Sequence, residues 1–216
     1  MPNVALRPSE PASRFPASTC SRPCSGTGEG YWLQDRHLAR LADSADYWGF
    51  PGESCELRKA LEASAPAVQS RVRLLLAPDG GIGVESTPMP EIVPIRSLRV
   101  LPNSVNSRDP LLFHKTPARA TYERAVAQRG DADDVLLVNE RGEVTEASRA
   151  NSAVLLNGEW LTPRLSCGLL PGTLRAELLA NGDLREAVIT LEQLSAAEAV
   201  EALNSVRGRS RVSLRY

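Results

Sequence analysis

The chain has 216 residues, 42% of them hydrophobic and 24% charged, with a formal net charge of -1. That length can bury a sizeable core in one large domain or in two smaller ones around a shared cleft, and the second arrangement is expected. The near-neutral charge argues against electrostatic capture of nucleic acid, and the apolar content argues against disorder throughout, which leaves a small molecule as the default partner. Cys20, Cys24, Cys55 and Cys167 form no CxxC pair and the histidines are His37 and His114, a pattern that argues against a Cys/His zinc site. A reducing cytoplasm fits this cysteine usage, and no apolar run approaches the roughly 20 residues that span a bilayer.

Residues 1–27, within "RPSEPASRFPASTCSRPCSGTGEG" and the stretch before it, are rich in Pro, Ser and Gly and are expected to be irregular. "YWLQ" reads as a short strand. "DRHLARLADSADYWGF" follows as a helix, with Leu38, Leu41, Ala45 and Trp48 at helical spacing and Asp35 as N-cap. "CELRKALEASAPA" repeats the helical period, and "RVRLLLAPDGGIGVEST" reads as a hairpin around "PDGG". These elements predict a small α/β domain over 28–101, followed by a linker over 102–108, where Pro, Asn and Ser leave little to bury.

In the remaining segment, 109–216, "LLF" is strand-like. "ARATYERAVAQRG" is a helix whose Ala120, Arg124 and Ala127 would make its amphipathic face, with Gly130 as C-terminal cap. "DDVLLVNERGEVTEASRANSAVLLNGEWLTPRL" carries three strand-like runs. "GLLPGTLRAELLANG" is a loop entering a helix that turns Leu174, Leu178 and Leu179 to the core, and "AVITLEQLSAAEAVEALNSVRG" supplies a strand, a short helix and a closing strand.

Chemistry enters at Lys115. Lysine occurs only here and at Lys59, and Lys115 stands beside His114 between an apolar run and a helix. Held in a partly apolar pocket, such an amine can lose its proton and act as a nucleophile; on a surface it is an ordinary solvated charge. Glu146 lies in "GEVTEASRAN", "LLPGTLR" offers backbone amides at a helix start, and "NSVRG" offers a hydroxyl in a turn.

Taken in order, "GEGYWLQDRHLARLADSADYWGFP", "SRDPLLFHKT", "DDVLLVNERGEVTEASRANSAVLL", "SCGLLPGTLRAELL" and "LNSVRG" resemble the class IV aminotransferase family, the fold-type IV enzymes that use pyridoxal 5'-phosphate. The resemblance implies an α+β (mixed α/β) fold of two domains, a small α/β N-terminal one and a larger β-barrel-like C-terminal one with helices. It also implies a homodimer with cofactor sites near the interface.

By that resemblance Lys115 condenses with the cofactor aldehyde and later serves as the catalytic base. Glu146 holds the pyridine nitrogen, while Arg40, the amides of Thr173 and Leu174 at a helix N-terminus, and the Ser205 hydroxyl hold the phosphate. Arg119, Tyr122 and Arg207 are substrate-side candidates; His114 and His37 are expected to be packed neighbours, and Asn151 to hold the loop after Glu146. The implied activity is a lyase reaction that splits 4-amino-4-deoxychorismate into 4-aminobenzoate and pyruvate in folate synthesis. The alternatives are a branched-chain or D-amino-acid transaminase and a degenerate cofactor-binding protein without turnover. Three departures stand out. The stretch "STCSRPCSGT" is expected not to form the family's first strand, Pro117 and Ala118 follow Lys115 where Thr and Arg are usual, and Arg149 puts a charge after Glu146 where an apolar residue is usual.

Overall fold

A computed structural model describes residues 15–21, 30–64, 66–89 and 91–216; of 15–21 it describes the backbone. The expected irregularity of 1–14 and 22–27 lies outside the described residues. The expectation fails at β1 (Phe15–Ser21), which pairs antiparallel along its whole length with β2 (Ser70–Leu76). β2 in turn pairs with β3 (Ile82–Pro88) through the hairpin expected at "PDGG". The sheet order β1-β2-β3 puts β1 at an edge, where a strand needs a partner on one side only and tolerates Pro16.

Two helices cover this sheet. α1 (Gln34–Trp48) begins one residue before Asp35, so its N-cap is Leu33 in the left-handed region (φ 54°) and Asp35 falls in the first turn. "YWLQ" is accordingly the entry to this helix rather than a named strand. α2 (Ser54–Ala63) buries Leu57 and Leu61 against Leu38, Leu41 and Ala45 of α1 and Val72, Leu74 and Leu76 of β2, giving the small lobe an apolar core of its own.

The other sheet has eight strands. β4 (Ser97–Val105) runs through most of the segment expected as a linker, because parallel pairing with β5 (Asp134–Asn139) continues to Val105 across a register shift that absorbs Pro102 and Asn103. β6 (Val144–Ala147), β7 (Asn151–Leu156) and β8 (Glu159–Pro163) follow antiparallel, four strands from β5 onward where three runs were expected. β9 (Arg185–Ala187), β10 (Ala199–Asn204) and β11 (Gly208–Arg215) complete the order β10-β11-β4-β5-β6-β7-β8-β9. A further pairing of β10 with β7 closes six of these strands into a barrel-like ring. The mixed α/β character and the barrel-like sheet match the expected fold.

"LLF" is part of a 3-10 turn (Pro110–Leu112) and not a strand; the Asp109 carboxylate caps it by accepting from Leu111 N at 2.9 Å. α3 (Ala120–Val126) stops before Gly130 and turns Tyr122 and Ala125 inward, while Ala120, Arg124 and Ala127 face outward. The larger apolar side chains at Tyr122 and Val126 set the rotation, a signal that the alanine spacing obscured. α4 (Thr173–Ala180) packs Leu178, with half-buried Leu174 and Leu179, against Ala153 and Leu203 of the barrel. The short α5 (Leu191–Ser195) starts with a capping box made by Thr190 and Gln193. Among the described residues no helix is long and apolar enough to cross a membrane.

Candidate active site

β6 carries the central acid. Its four residues are all buried, and a tight turn at 148–150 returns the chain as β7, so that Glu146 pairs across the ladder with Asn151. A carboxylate at this depth requires donors, and it has three: Tyr122 Oη donates to Oε1 at 2.7 Å, Leu170 N donates to the same oxygen at 3.1 Å, and Asn151 Nδ2 donates to Oε2 at 3.0 Å. Asn151 also donates to the Leu170 carbonyl at 2.8 Å, tying the loop before α4 to the acid. Burial raises the Glu146 carboxyl to about pH 7, against the opposing pull of Tyr122, the Leu170 amide, Arg119 and Lys115.

Lys115 projects from the loop after the 3-10 turn. Among the described residues its amine makes no hydrogen bond or ion pair, and burial lowers its pKa to about 7, helped by the positive charges of Arg40 and Arg119 and opposed by Glu146. A substantial neutral fraction at physiological pH is what an amine nucleophile needs. Its neighbour His114 anchors the loop to α1: Nδ1 lies 3.0 Å from Ser44 Oγ, and the ring packs 4.4 Å from that of Tyr47.

α1 reaches the same cavity. The stripe beside Leu38 and Leu41 carries His37, Arg40 and Ser44, all buried. Arg40 Nη1 donates to the Pro171 carbonyl at 3.4 Å, and His37 Nε2 lies 3.3 Å from Thr173 Oγ1 at the start of α4. Burial holds His37 well below its ordinary pKa, with Arg40 and Lys115 acting in the same direction, so the ring is neutral. Arg36 pairs with Glu177 at 2.6 Å further along. Buried Arg175 donates to the Pro163 carbonyl at 2.7 Å and pairs with Glu186, which fixes the angle at which α4 leaves the barrel.

One partly open cavity of about 70 Å³, small beside the roughly 300–1,000 Å³ of typical small-molecule sites, joins Glu146, Lys115 and Arg40. Arg40, Lys115, Arg119, Tyr122, Glu146, Thr173, Leu174 and Ser205 all line it, so eight of the nine residues singled out in the sequence share one wall or another. Arg207 does not line it. Tyr122 spends its hydroxyl on Glu146, and Arg119 lies over the Tyr122 ring and donates to the Ser148 carbonyl, so both are engaged with the acid's surroundings. Two features escaped the sequence reading. Gly172 passes so close to Asn151 that a Cβ there would sit 1.8 Å from Asn151 Oδ1, and Ser148 and Arg149 line the cavity directly after β6. The "PG" of the loop signalled a turn, but the close approach depends on a partner 21 residues away.

The residues present suit pyridoxal phosphate. A free amine of depressed pKa faces a buried carboxylate in one cavity, and the orphan amides at the start of α4 stand with Arg40 where an anion would be held. The cavity is also strongly cationic, with Arg40, Lys115, Arg119 and Arg149 set against Glu146 alone.

A barrel-like sheet closed next to a smaller lobe, with a lysine and a buried carboxylate lining one cavity, is the arrangement of an enzyme that acts on small molecules. Residues 26–214 match the model of the family described as amino-transferase class IV, and the chain belongs to that family, whose enzymes depend on pyridoxal phosphate. It is 36% identical over 193 residues, 82% of this chain and 81% of the other, to a Schizosaccharomyces pombe protein named "Putative aminodeoxychorismate lyase". A solved structure from Mesorhizobium loti, named "Putative amino-acid aminotransferase", superposes with a TM-score of 0.83 at 34% identity, covering 94% of this chain and 99% of that one. A Legionella pneumophila structure named "Putative 4-amino-4-deoxychorismate lyase" shares the fold with a TM-score of 0.80 at 21% identity, covering 94% of this chain and 83% of that one.

Proposed function

We propose that this enzyme binds pyridoxal 5'-phosphate and acts as a lyase on 4-amino-4-deoxychorismate, releasing pyruvate and leaving 4-aminobenzoate. The observation that carries the reading is the pair formed by the unpartnered Lys115 amine and the triply hydrogen-bonded Glu146 carboxylate, both facing the cationic cavity. When bound, the cofactor supplies an electron sink for the carbon next to the substrate nitrogen.

Each residue then has a definite task. Lys115, neutral in part near pH 7, would attach the cofactor and later take the proton from the substrate carbon that bears nitrogen; that carbon becomes aromatic, so the proton goes to the departing enolpyruvyl group, which leaves as pyruvate. Glu146, fixed by its own three donors, would accept from the pyridine N–H of the cofactor. Arg40, the Thr173 and Leu174 amides and the Ser205 hydroxyl hold the phosphate, with His37 steadying Thr173 from behind. Loss of pyruvate makes the substrate ring aromatic, which drives the reaction forward. The likeness to the S. pombe protein over most of both lengths favours the lyase. The likeness to the M. loti structure favours the second reading, an amino-acid transaminase with the same lysine and acid. A dimer and a cytoplasmic location belong to the proposal as well.

The test is direct. Protein supplied with cofactor should show an absorbance band near the visible edge that Lys115→Ala lacks, and aminodeoxychorismate should then yield pyruvate. Amine exchange that requires a keto acid, without pyruvate release, would establish the transaminase instead. A band with neither activity would mark a cofactor-binding protein without turnover, and wild-type protein without the band would end both enzyme readings.

A further inference from the structure

Most of the cationic groups around the cavity have an evident task, but Arg149 does not. The run 146–151 is buried except at Arg149, which is therefore the point where the lining meets solvent. Among the described residues its guanidinium has no ion pair or hydrogen bond. Beside it, Ser148 is 4% exposed and lines the same cavity, yet its Oγ has no hydrogen-bond partner. A buried hydroxyl without a partner is costly, so a spare donor in the cavity lining points to an acceptor that arrives with a ligand.

The backbone holds a second arginine, Arg207, behind the same rim. Asn204 Nδ2 donates to the Arg149 carbonyl, and Asn204 Oδ1 accepts from Val206 N at 2.8 Å and Arg207 N at 3.2 Å. One side-chain amide thus clamps the turn after β6 to the turn between β10 and β11. Burial lowers the pKa of Arg207, and the positive charges of Arg149 and Arg71 lower it further; Asp134 opposes them but forms no ion pair with it. Like charges gathered at a cavity mouth, with no carboxylate bridging them, are held there at a cost that an incoming anion removes.

We infer that Ser148 and Arg149, backed by Arg207, form a subsite for a carboxylate of the substrate at the cavity rim, separate from the phosphate-holding group at Arg40 and α4. The inference rests on the proposed cofactor reading for which end of the cavity does chemistry, and it adds that the substrate presents an acidic group to the rim. Arg149 supplies the charge, the Ser148 hydroxyl a second hydrogen bond, and Asn204 keeps the two turns in register.

The experiment compares succinate with its neutral isostere succinamide, by calorimetry on cofactor-saturated protein. Wild type should bind succinate roughly ten-fold or more tightly than succinamide, and Arg149→Ala should bring that ratio close to one, since a charge-assisted contact contributes about one power of ten in affinity. Ser148→Ala should lower the ratio by a smaller factor, and Arg149→Lys should restore part of it. Arg149 is exposed, so these variants should fold, which the retained absorbance band verifies. A ratio near one in wild type, or a ratio unchanged by Arg149→Ala, would overturn the subsite while leaving the cofactor reading intact. Equal weakening of inorganic phosphate and succinate in the cofactor-free Arg149→Ala variant would assign the arginine to the phosphate and overturn it too. Absence of the band in wild type would instead remove the cofactor reading.

Discussion

The small lobe and the barrel end that faces it are built on opposite principles. Between α1, α2 and the three-stranded sheet the buried side chains are almost wholly aliphatic, with Leu57 and Leu61 fully enclosed. Around Glu146 several buried side chains are polar and linked in series: Thr145 Oγ1 donates to the Leu137 carbonyl at 3.1 Å, Ser152 Oγ to the Thr145 carbonyl at 2.8 Å, and Thr162 Oγ1 to the Ser152 carbonyl at 2.8 Å. An aliphatic core tolerates small shifts of its members, whereas a network of this kind fixes them, because every displaced donor leaves an acceptor unpaired. α1 belongs to both regions, with Leu38, Leu41 and Ala45 along one stripe and His37, Arg40 and Ser44 along the stripe beside it. The small lobe is thus the means by which Arg40 is held against the barrel.

Lys115→Ala should separate the regions most sharply. It removes the amine without touching either core, so turnover should fall by on the order of 10³-fold or more while the melting temperature barely changes, in parallel rate and thermal-unfolding measurements. The converse variant, Leu57→Ala, leaves the site chemistry in place and opens a cavity in the small lobe. It should cost about 2–5 kcal/mol in denaturant unfolding, and cofactor affinity should weaken only as far as α1 loosens. A Leu57→Ala protein of undiminished stability would show that the two lobes do not depend on this core.

Gly172→Ala probes the fixed network with a single methyl. The new carbon would overlap Asn151 Oδ1, so Asn151 must move and surrender a contact to Glu146 or Leu170. An expected loss of about 1–3 kcal/mol should come with a weakened absorbance band, whereas Gly30, with open space at its Cβ position and no positive φ, provides the matching control for loss of a glycine.

How legible each region was follows from the same contrast. The aliphatic periods of α1, α2 and the "PDGG" hairpin announce themselves within a dozen residues, and the structure contains them. β1 was hidden because an edge strand needs backbone partners more than an apolar pattern, and Pro16 is acceptable there. β4 was hidden because Pro102 and Asn103 sit at a register shift and look like punctuation. At the site, Lys115, Glu146 and Arg40 could be picked out by type and order. That Tyr122 would spend its hydroxyl on Glu146, or that Gly172 would touch Asn151, depends on contacts between distant segments that no local period encodes. Arg207 was singled out for its charge, and it stands behind the rim because Asn204 holds its turn there.

Tyr122→Phe is the mildest test, and it acts through protonation. Lys115 must be neutral to attack, and its pKa is lowered to about 7, so the rate of cofactor attachment should rise as pH increases through that value and fall on the acid side. Glu146 is raised to about 7 by burial, and the Tyr122 hydroxyl is the strongest of the influences that pull it back down. Deleting the hydroxyl therefore favours the protonated acid and moves the acid limb governed by Glu146 toward higher pH. One neutral donor to a charged acceptor corresponds to a shift of about one to two pH units. Ser44→Ala, which releases His114 from α1 but leaves the Glu146 donors in place, should leave that limb where it is. If both variants moved the limb equally, the profile would be reporting general loosening of the cleft, and the polar network around Glu146 would have no claim to set its charge.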